Sequence, residues 1–228
     1  MLRAPIDCLS HRLRRPMRTA FACLLLFALL PLTASAQDGD WTPLFDGTST
    51  EGWTHVGEGS FVVEDGLLKT EGGMGLFWYT EQKLSNAQLR VEYMSPEGDN
   101  AGVFIRIPER PTEPWMPVNR GYEVQINPSG DAYHRTGVLY SLTEAQAEVG
   151  QPGEWNTMTI TLDGDRTMVH VNGVLVTDYT EGEPVPEKAA DYEPDRGPRP
   201  TEGYIGLQNH GGDDVVYFRS VQMRPLDE

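Results

Sequence analysis

The 228-residue chain has two cysteines, Cys8 and Cys23, and both fall within its first 36 residues. Everything after them is without disulfide or thiol chemistry. No apolar run reaches the roughly 20 residues that span a bilayer; the run over 21–32 has 12. Positive charge is scarce, with 18 Lys and Arg against 34 Asp and Glu and a formal net charge of −16. Long amphipathic stretches of helical period are missing. So are the P-loop, the dinucleotide fingerprint, the G-x-S-x-G elbow and the H-E-x-x-H zinc motif. These absences argue against a nucleotide-dependent enzyme, an α/β-hydrolase and a zinc peptidase.

What is present at the start is a leader pattern. Arg3, Arg12, Arg14, Arg15 and Arg18 precede the apolar run, and Ala34-Ser35-Ala36 follows it as a small-residue cleavage site. Residues 1–36 are therefore expected to be a secretory signal peptide, and the mature chain to begin at Gln37 and to be exported to a periplasmic or extracellular location. The leader takes 5 of the 18 basic and 1 of the 34 acidic residues, leaving 13 and 33 and a net charge of −20 over 37–228. That charge repels nucleic acid and anionic membrane surfaces. The 192 residues that remain suit one domain with a sizeable core. Nothing in them indicates an oligomeric state.

Residues 37–228 read as strands and turns. Period-2 segments recur over 61–69, 88–94, 102–107, 122–126, 158–162, 168–176, 204–208 and 215–223. Asp163-Gly164-Asp165 and Asn172-Gly173 are the turn pairs expected to take positive φ in tight hairpins. Many short strands without interleaved helices predict an all-β fold of antiparallel sheets. Two stretches break the rhythm. Residues 108–119 hold four prolines and are expected to be a loop. Residues 181–202 hold five among charges and are expected to pack on the sandwich as a lid or rim.

Side chains alternate across a strand, so residues two apart share a face. On that rule Val103, Ile105 and Ile107 oppose Phe104 and Arg106. Tyr122, Val124 and Ile126 oppose Glu123 and Gln125, and Ile205 and Leu207 oppose Tyr204, Gln208 and His210. A solvated outer face would also alternate, and Arg106 with Glu123 would make a simple cross-strand ion pair. Yet Arg, Glu, two Gln and His with aromatics suit the recognition of sugar hydroxyls and C–H faces. Trp41, Trp53 and Trp155 fit packing positions, whereas Trp78, Tyr79 and Trp115 lie in or beside Gly- or Pro-rich stretches and suit stacking on a sugar. The E-x-D-x-x-E strand of laminarinase-type glucanases is absent; Glu123-Val124-Gln125-Ile126-Asn127 stands in the comparable place. One carboxylate followed by an amide does not supply the pair, about 5 Å apart, that retaining glycosidases use.

A resemblance rests on several motifs in order. Leu44-Phe45-Asp46-Gly47 with Gly52-Trp53, and Val63-Glu64-Asp65-Gly66, open the series. Asn100-Ala101-Gly102-Val103-Phe104-Ile105-Arg106, Gly121-Tyr122-Glu123-Val124-Gln125-Ile126 and Thr136-Gly137-Val138-Leu139-Tyr140 follow. Gly153-Glu154-Trp155-Asn156 and Gly203-Tyr204-Ile205-Gly206-Leu207-Gln208-Asn209-His210 complete it. Over about 41–226 the chain resembles the 3-keto-disaccharide hydrolase domain family. The resemblance implies a concanavalin A-like jelly roll of two antiparallel sheets, and cleavage of the glycosidic bond of sugars oxidised at C3, by hydrolysis or by elimination.

A C3 ketone acidifies the C2 proton, so one base, one enolate stabiliser and one proton donor suffice. Glu123 and His210 are expected to act as base and acid in either order, with Arg106 stabilising the enolate. Gln125, Gln208, Tyr140, Trp78, Tyr204 and Trp115 are expected to bind the sugar. No cofactor is expected. A divalent cation in place of Arg106 stays open, although no ligand cluster is visible. The alternative is a non-catalytic, lectin-like carbohydrate-binding module, for which the same residue types would serve.

Overall fold

The computed structural model of the protein describes residues 41–226. The leader and its cleavage after Ala36 lie outside the described residues. Thirteen strands and one short helix follow in order: β1 (Thr42–Phe45), β2 (Trp53–Gly57), β3 (Ser60–Glu64), β4 (Leu67–Glu71), β5 (Gly75–Tyr79), β6 (Ala87–Met94), β7 (Ala101–Ile107), α1 (Met116–Arg120), β8 (Tyr122–Ile126), β9 (Asn156–Asp163), β10 (Arg166–Val171), β11 (Val174–Thr180), β12 (Tyr204–Asn209) and β13 (Tyr217–Pro225). All pairings among them are antiparallel. One sheet has eight strands, in the order β11-β10-β9-β6-β13-β4-β3 with β1 also on β13; the other has five, β2-β5-β12-β7-β8. The all-β jelly-roll sandwich expected from the sequence is what forms.

The core lies between the sheets and follows from alternation. Leu89, Val91 and Tyr93 of β6 meet Val103 and Ile105 of β7, Val124 and Ile126 of β8, and Leu207 of β12, all almost fully buried. Phe61 and Phe77 stack across the two sheets at 5.1 Å, and Trp53 stacks on Phe77 at 5.0 Å. The Trp53 indole donates to the Leu44 carbonyl at 2.7 Å, which satisfies its buried N–H. Trp41 and Trp155, expected in the packing, instead carry guanidinium groups: Arg90 and Arg224 lie over Trp41 at 4.0 and 4.7 Å, and Arg219 over Trp155 at 4.6 Å.

Turns set the register. Asn172 and Gly173 take φ of 51° and 80° between Val171 and Val174, the backbone of a tight hairpin. Asp65 and Gly66 do the same, at 51° and 79°, and split the run over 61–69 into β3 and β4. The proline-rich stretch 108–119 holds the start of helix α1, with Pro117 in its first turn, where a missing N–H leaves no broken bond. Residues 181–202 pack along β8, the edge of the five-stranded sheet. Arg199 donates to the Gly121 carbonyl at 2.8 Å and lies 5.5 Å over the Tyr122 ring.

Candidate active site

The outer face of the five-stranded sheet is covered rather than solvated. Leu76 and Trp78 of β5 and Phe104 of β7 pack there with Met116 and Val118 of α1. On this face β8 presents Glu123 and Gln125, β7 presents Gly102, and β12 presents Gln208. Gly102 faces Gln125 across β7 and β8, and Phe104 faces Glu123. The Glu123 side chain leans over Gly102. A Cβ at position 102 would come within 2.8 Å of Glu123 Cγ and Oε1, so only glycine leaves room for the carboxyl. This is the physical content of the Asn100-Ala101-Gly102 motif. It also makes Gly102 a site residue that alternation alone does not reveal.

Glu123 is 6% exposed. Burial pushes its carboxyl up to about 8, and a hydrogen bond from Gln208 offsets part of that rise. Gln125 donates to Asn100 Oδ1 at 3.0 Å. Among the described residues, Gln125 Oε1, Gln208 Oε1 and Trp78 Nε1 are buried polar atoms without a protein partner. Groups of that kind are uncommon in folded proteins and mark places where a ligand or water completes the bonding. Tyr140 adjoins Glu123: its amide donates to the Glu123 carbonyl at 2.9 Å. Burial, and then the charge of Glu123, push its phenol up to about 12.

A sequence pattern described as the 3-keto-α-glucoside-1,2-lyase-like domain matches residues 40–224. The chain belongs to that family. The crystal structure of a candidate glycosyl hydrolase from Parabacteroides distasonis resembles it at TM-score 0.68 and 28% identity, covering 82% of this chain and 100% of that one. A second from the same organism gives 0.66 and 23%, over 82% and 94%. A carbohydrate binding module from Bacillus subtilis shares the fold at 0.53 and 15%, over 76% and 95%. Comparison with curated proteins returns no match.

Within this lyase-like domain, not every residue picked from the sequence meets at Glu123. Gln125, Gln208 and Tyr140 do. Arg106 does not. A β-bulge opens where Tyr204 and Gly206 face Ile107 and Phe104, and Arg106 sits in it at φ 56°. The extra residue turns Arg106 inward. Its guanidinium donates to the Gly164 carbonyl at 2.9 Å, to the Pro200 carbonyl at 3.1 Å and to the Arg166 carbonyl at 3.2 Å, and it reaches Thr167 Oγ1 at 3.3 Å. Arg106 thus ties the two sheets together instead of pairing with Glu123. The same bulge moves Ile107 to the covered outer face, away from Val103 and Ile105.

His210 follows the end of β12, two residues beyond Gln208 and outside the strand. It is exposed, and its Nδ1 lies 2.7 Å from Asp214 Oδ2. Trp78 belongs to β5 rather than a loop and is 4% exposed, with Tyr204 edge-on at 5.0 Å. The two pack together and leave no open face on Trp78 for a sugar. Tyr79 turns to the other side, against Trp53 at 5.4 Å. Trp115, at 47%, is the exposed aromatic of the set.

Cavities also lie elsewhere among the described residues. One of about 390 Å³ is lined by Asp46, Glu51, Tyr79 and Glu81. It is remote from Glu123 in the sheet, and Leu44, Phe45, Asp46 and Gly52 of the opening motif line it. Another, about 260 Å³, opens between residues 131–141 and 186–196 and includes His134, Ser141 and Arg196. The His134 ring is tilted against Tyr140 at 5.3 Å, so Tyr140 stands between this cavity and Glu123. Among the described residues no three His, Cys, Asp or Glu side chains gather as a metal site. No described helix is long and apolar enough to cross a membrane.

Proposed function

We propose that the domain cleaves the glycosidic bond of 3-keto-glycosides by removing the C2 proton and expelling the C1 oxygen. The observation that carries this reading is the Glu123 carboxyl, buried over Gly102, bonded by Gln208 and pushed up to about 8. A base of that strength is ionised in part near neutral pH and still holds a proton well once it has taken one. Tyr140 keeps its O–H at neutral pH and adjoins Glu123, suited to the enolate oxygen on C3. The acceptor oxygens of Gln125 and Gln208 suit sugar hydroxyls. His210, held by Asp214 just past the end of β12, is the group assigned to protonate the leaving oxygen. Arg106 takes no part, because its donors are engaged between the sheets.

A lectin-like role fits the fold but not the acid. Burying a carboxyl with no cation against it lowers stability as it ionises, and a binding module gains nothing from that. The test is incubation with a 3-keto-glucoside in deuterated water, followed by mass analysis. The expected products are an unsaturated 2-hydroxyglycal or its hydrated 3-keto sugar, with solvent deuterium at C2 in the latter. Cleavage that leaves the original C2 hydrogen in place would rule out the elimination route. No turnover of any 3-keto-glucoside would return the domain to the binding class.

A further inference from the structure

The cavity beside Tyr140 holds a second arrangement with its own chemistry. His134 Nε2 lies 2.9 Å from Ser141 Oγ, and His134 Nδ1 lies 2.7 Å from Asp131 Oδ1. All three residues line the cavity of about 260 Å³. The geometry points to a serine nucleophile with its base and orienting carboxylate, and we propose that Ser141, His134 and Asp131 cleave short-chain acyl esters.

The pieces fit the roles. Asp131 Oδ1 also accepts the Tyr133 amide at 2.9 Å, which fixes the carboxylate from the backbone. With the imidazole proton on Nδ1, facing Asp131, the Nε2 lone pair faces the Ser141 hydroxyl. That is the tautomer a general base requires. Ser141 has φ 57°. This is an uncommon conformation for a residue with a Cβ, and such strain gathers at functional positions. Its amide donates to the Tyr133 carbonyl at 3.0 Å, so the strained turn is held from outside. Arg196 lines the same wall and braces the turn: its Nη2 donates to the Ser141 carbonyl at 3.3 Å and to Glu193 Oε2 at 2.9 Å. Ala132, Pro186 and Ala189 supply an apolar lining suited to a small acyl group.

The reaction balances without a co-reactant other than water. Ser141 Oγ attacks the ester carbonyl carbon and its proton passes to His134 Nε2. The carbon–alkoxide bond breaks and the leaving alcohol takes that proton. Water then attacks the acyl-serine, giving its proton to His134, and the carboxylic acid leaves as the serine hydroxyl is restored.

None of this depends on the chemistry at Glu123, so the test is separate. The protein is treated with an alkyl fluorophosphonate, and the labelled residue is mapped by peptide mass analysis. Hydrolysis of 4-nitrophenyl acetate is followed in parallel. One phosphonate per chain on Ser141 is expected. Ser141→Gly suits φ 57° and should take no label. His134→Gln should slow labelling and ester turnover by at least about 100-fold, with cooperative thermal unfolding confirming that each variant folds. An unlabelled wild type, or a label on another residue, overturns the proposal and leaves the triad as a brace for its loop.

Discussion

β6 of the large sheet and β8 of the small one are written in the same alternation, Ala-Gln-Leu-Arg-Val-Glu-Tyr-Met against Tyr-Glu-Val-Gln-Ile. Their fates differ. In β6 every second residue is buried and those between are half-exposed, whereas all five residues of β8 are buried. Glu92 of β6 sits on the solvated side and takes a bidentate pair of bonds from Arg219 at 3.0 and 3.1 Å. Glu123 of β8 lies under cover, its carboxyl bonded by a glutamine and pushed up to about 8. Alternation tells which way a side chain points. Whether water reaches it depends on what packs above, and over β8 that is set by α1, Tyr140 and the loops around them.

The comparison breaks most sharply on activity. Glu123→Gln keeps shape and removes basicity, so turnover of a 3-keto-glucoside should fall by about 10²- to 10⁴-fold, the usual contribution of a general base. Glu92→Gln, the same chemical change on the solvated sheet, should leave turnover unaltered. Steady-state rates of both variants decide the matter. Equal losses would mean that cover has nothing to do with function here.

Next in size is a pH effect on stability. The folded carboxyl of Glu123 titrates at about 8 and its unperturbed value is 4.5. The folded state therefore holds this proton more tightly. Its contribution is present in full below about 4.5 and is lost as the pH rises through about 8. Glu123→Gln has no such proton to lose. It should gain stability relative to wild type between about pH 5 and 9, by a few kcal/mol, since each tenfold difference in proton affinity between folded and unfolded chains is worth about 1.4 kcal/mol. Thermal unfolding at both ends of that range measures it. Parallel behaviour of the two proteins would show that water reaches the carboxyl.

Much of this architecture is legible in the residues. The strand bounds of β8, the hairpin at Asn172-Gly173 and the common side of Glu123, Gln125 and Gln208 follow from local pattern alone. β5 is hidden because Gly72, Gly73 and Gly75 precede its aromatic run and give the signal of a loop. The break at Asp65-Gly66 is masked by apolar residues on both flanks. Arg106 is the instructive miss. Its strand alternates correctly up to Ile105, and the bulge that reverses it exists only in register with β12, far away in sequence. Ser141, His134 and Asp131 escape for a similar reason, since they lie in a loop that has no period to read.

Arg106 sharpens the contrast from the structural side. It is 2% exposed and bonds three backbone carbonyls. Replacing it by Met should cost about 3 kcal/mol, because buried acceptors are left without a donor. The loss should appear in denaturant midpoint. The activity of the folded fraction at low temperature should stay within about two-fold of wild type, since uncoupled positions shift rates little. Lost turnover with unchanged stability would place the guanidinium at the reaction after all.

The smallest effect belongs to the solvated sheet. Arg219 bridges Glu92 and lies 4.6 Å over the Trp155 ring, yet its side chain is 41% exposed. Exposed ion pairs contribute about 0–1 kcal/mol, and a cation over an exposed ring about 0.5–1 kcal/mol. The two share one guanidinium and one ordering entropy, so they do not simply add. Arg219→Ala should therefore lower stability by about 1 kcal/mol at most. Because the Debye length shrinks from about 10 Å at 0.1 M salt to about 3 Å at 1 M, the ionic share should fade with added salt and the remainder should persist. A salt series on wild type and variant separates the two. A salt-independent loss of several kcal/mol would mean that this face is as covered as that of β8, and the difference between the sheets would vanish.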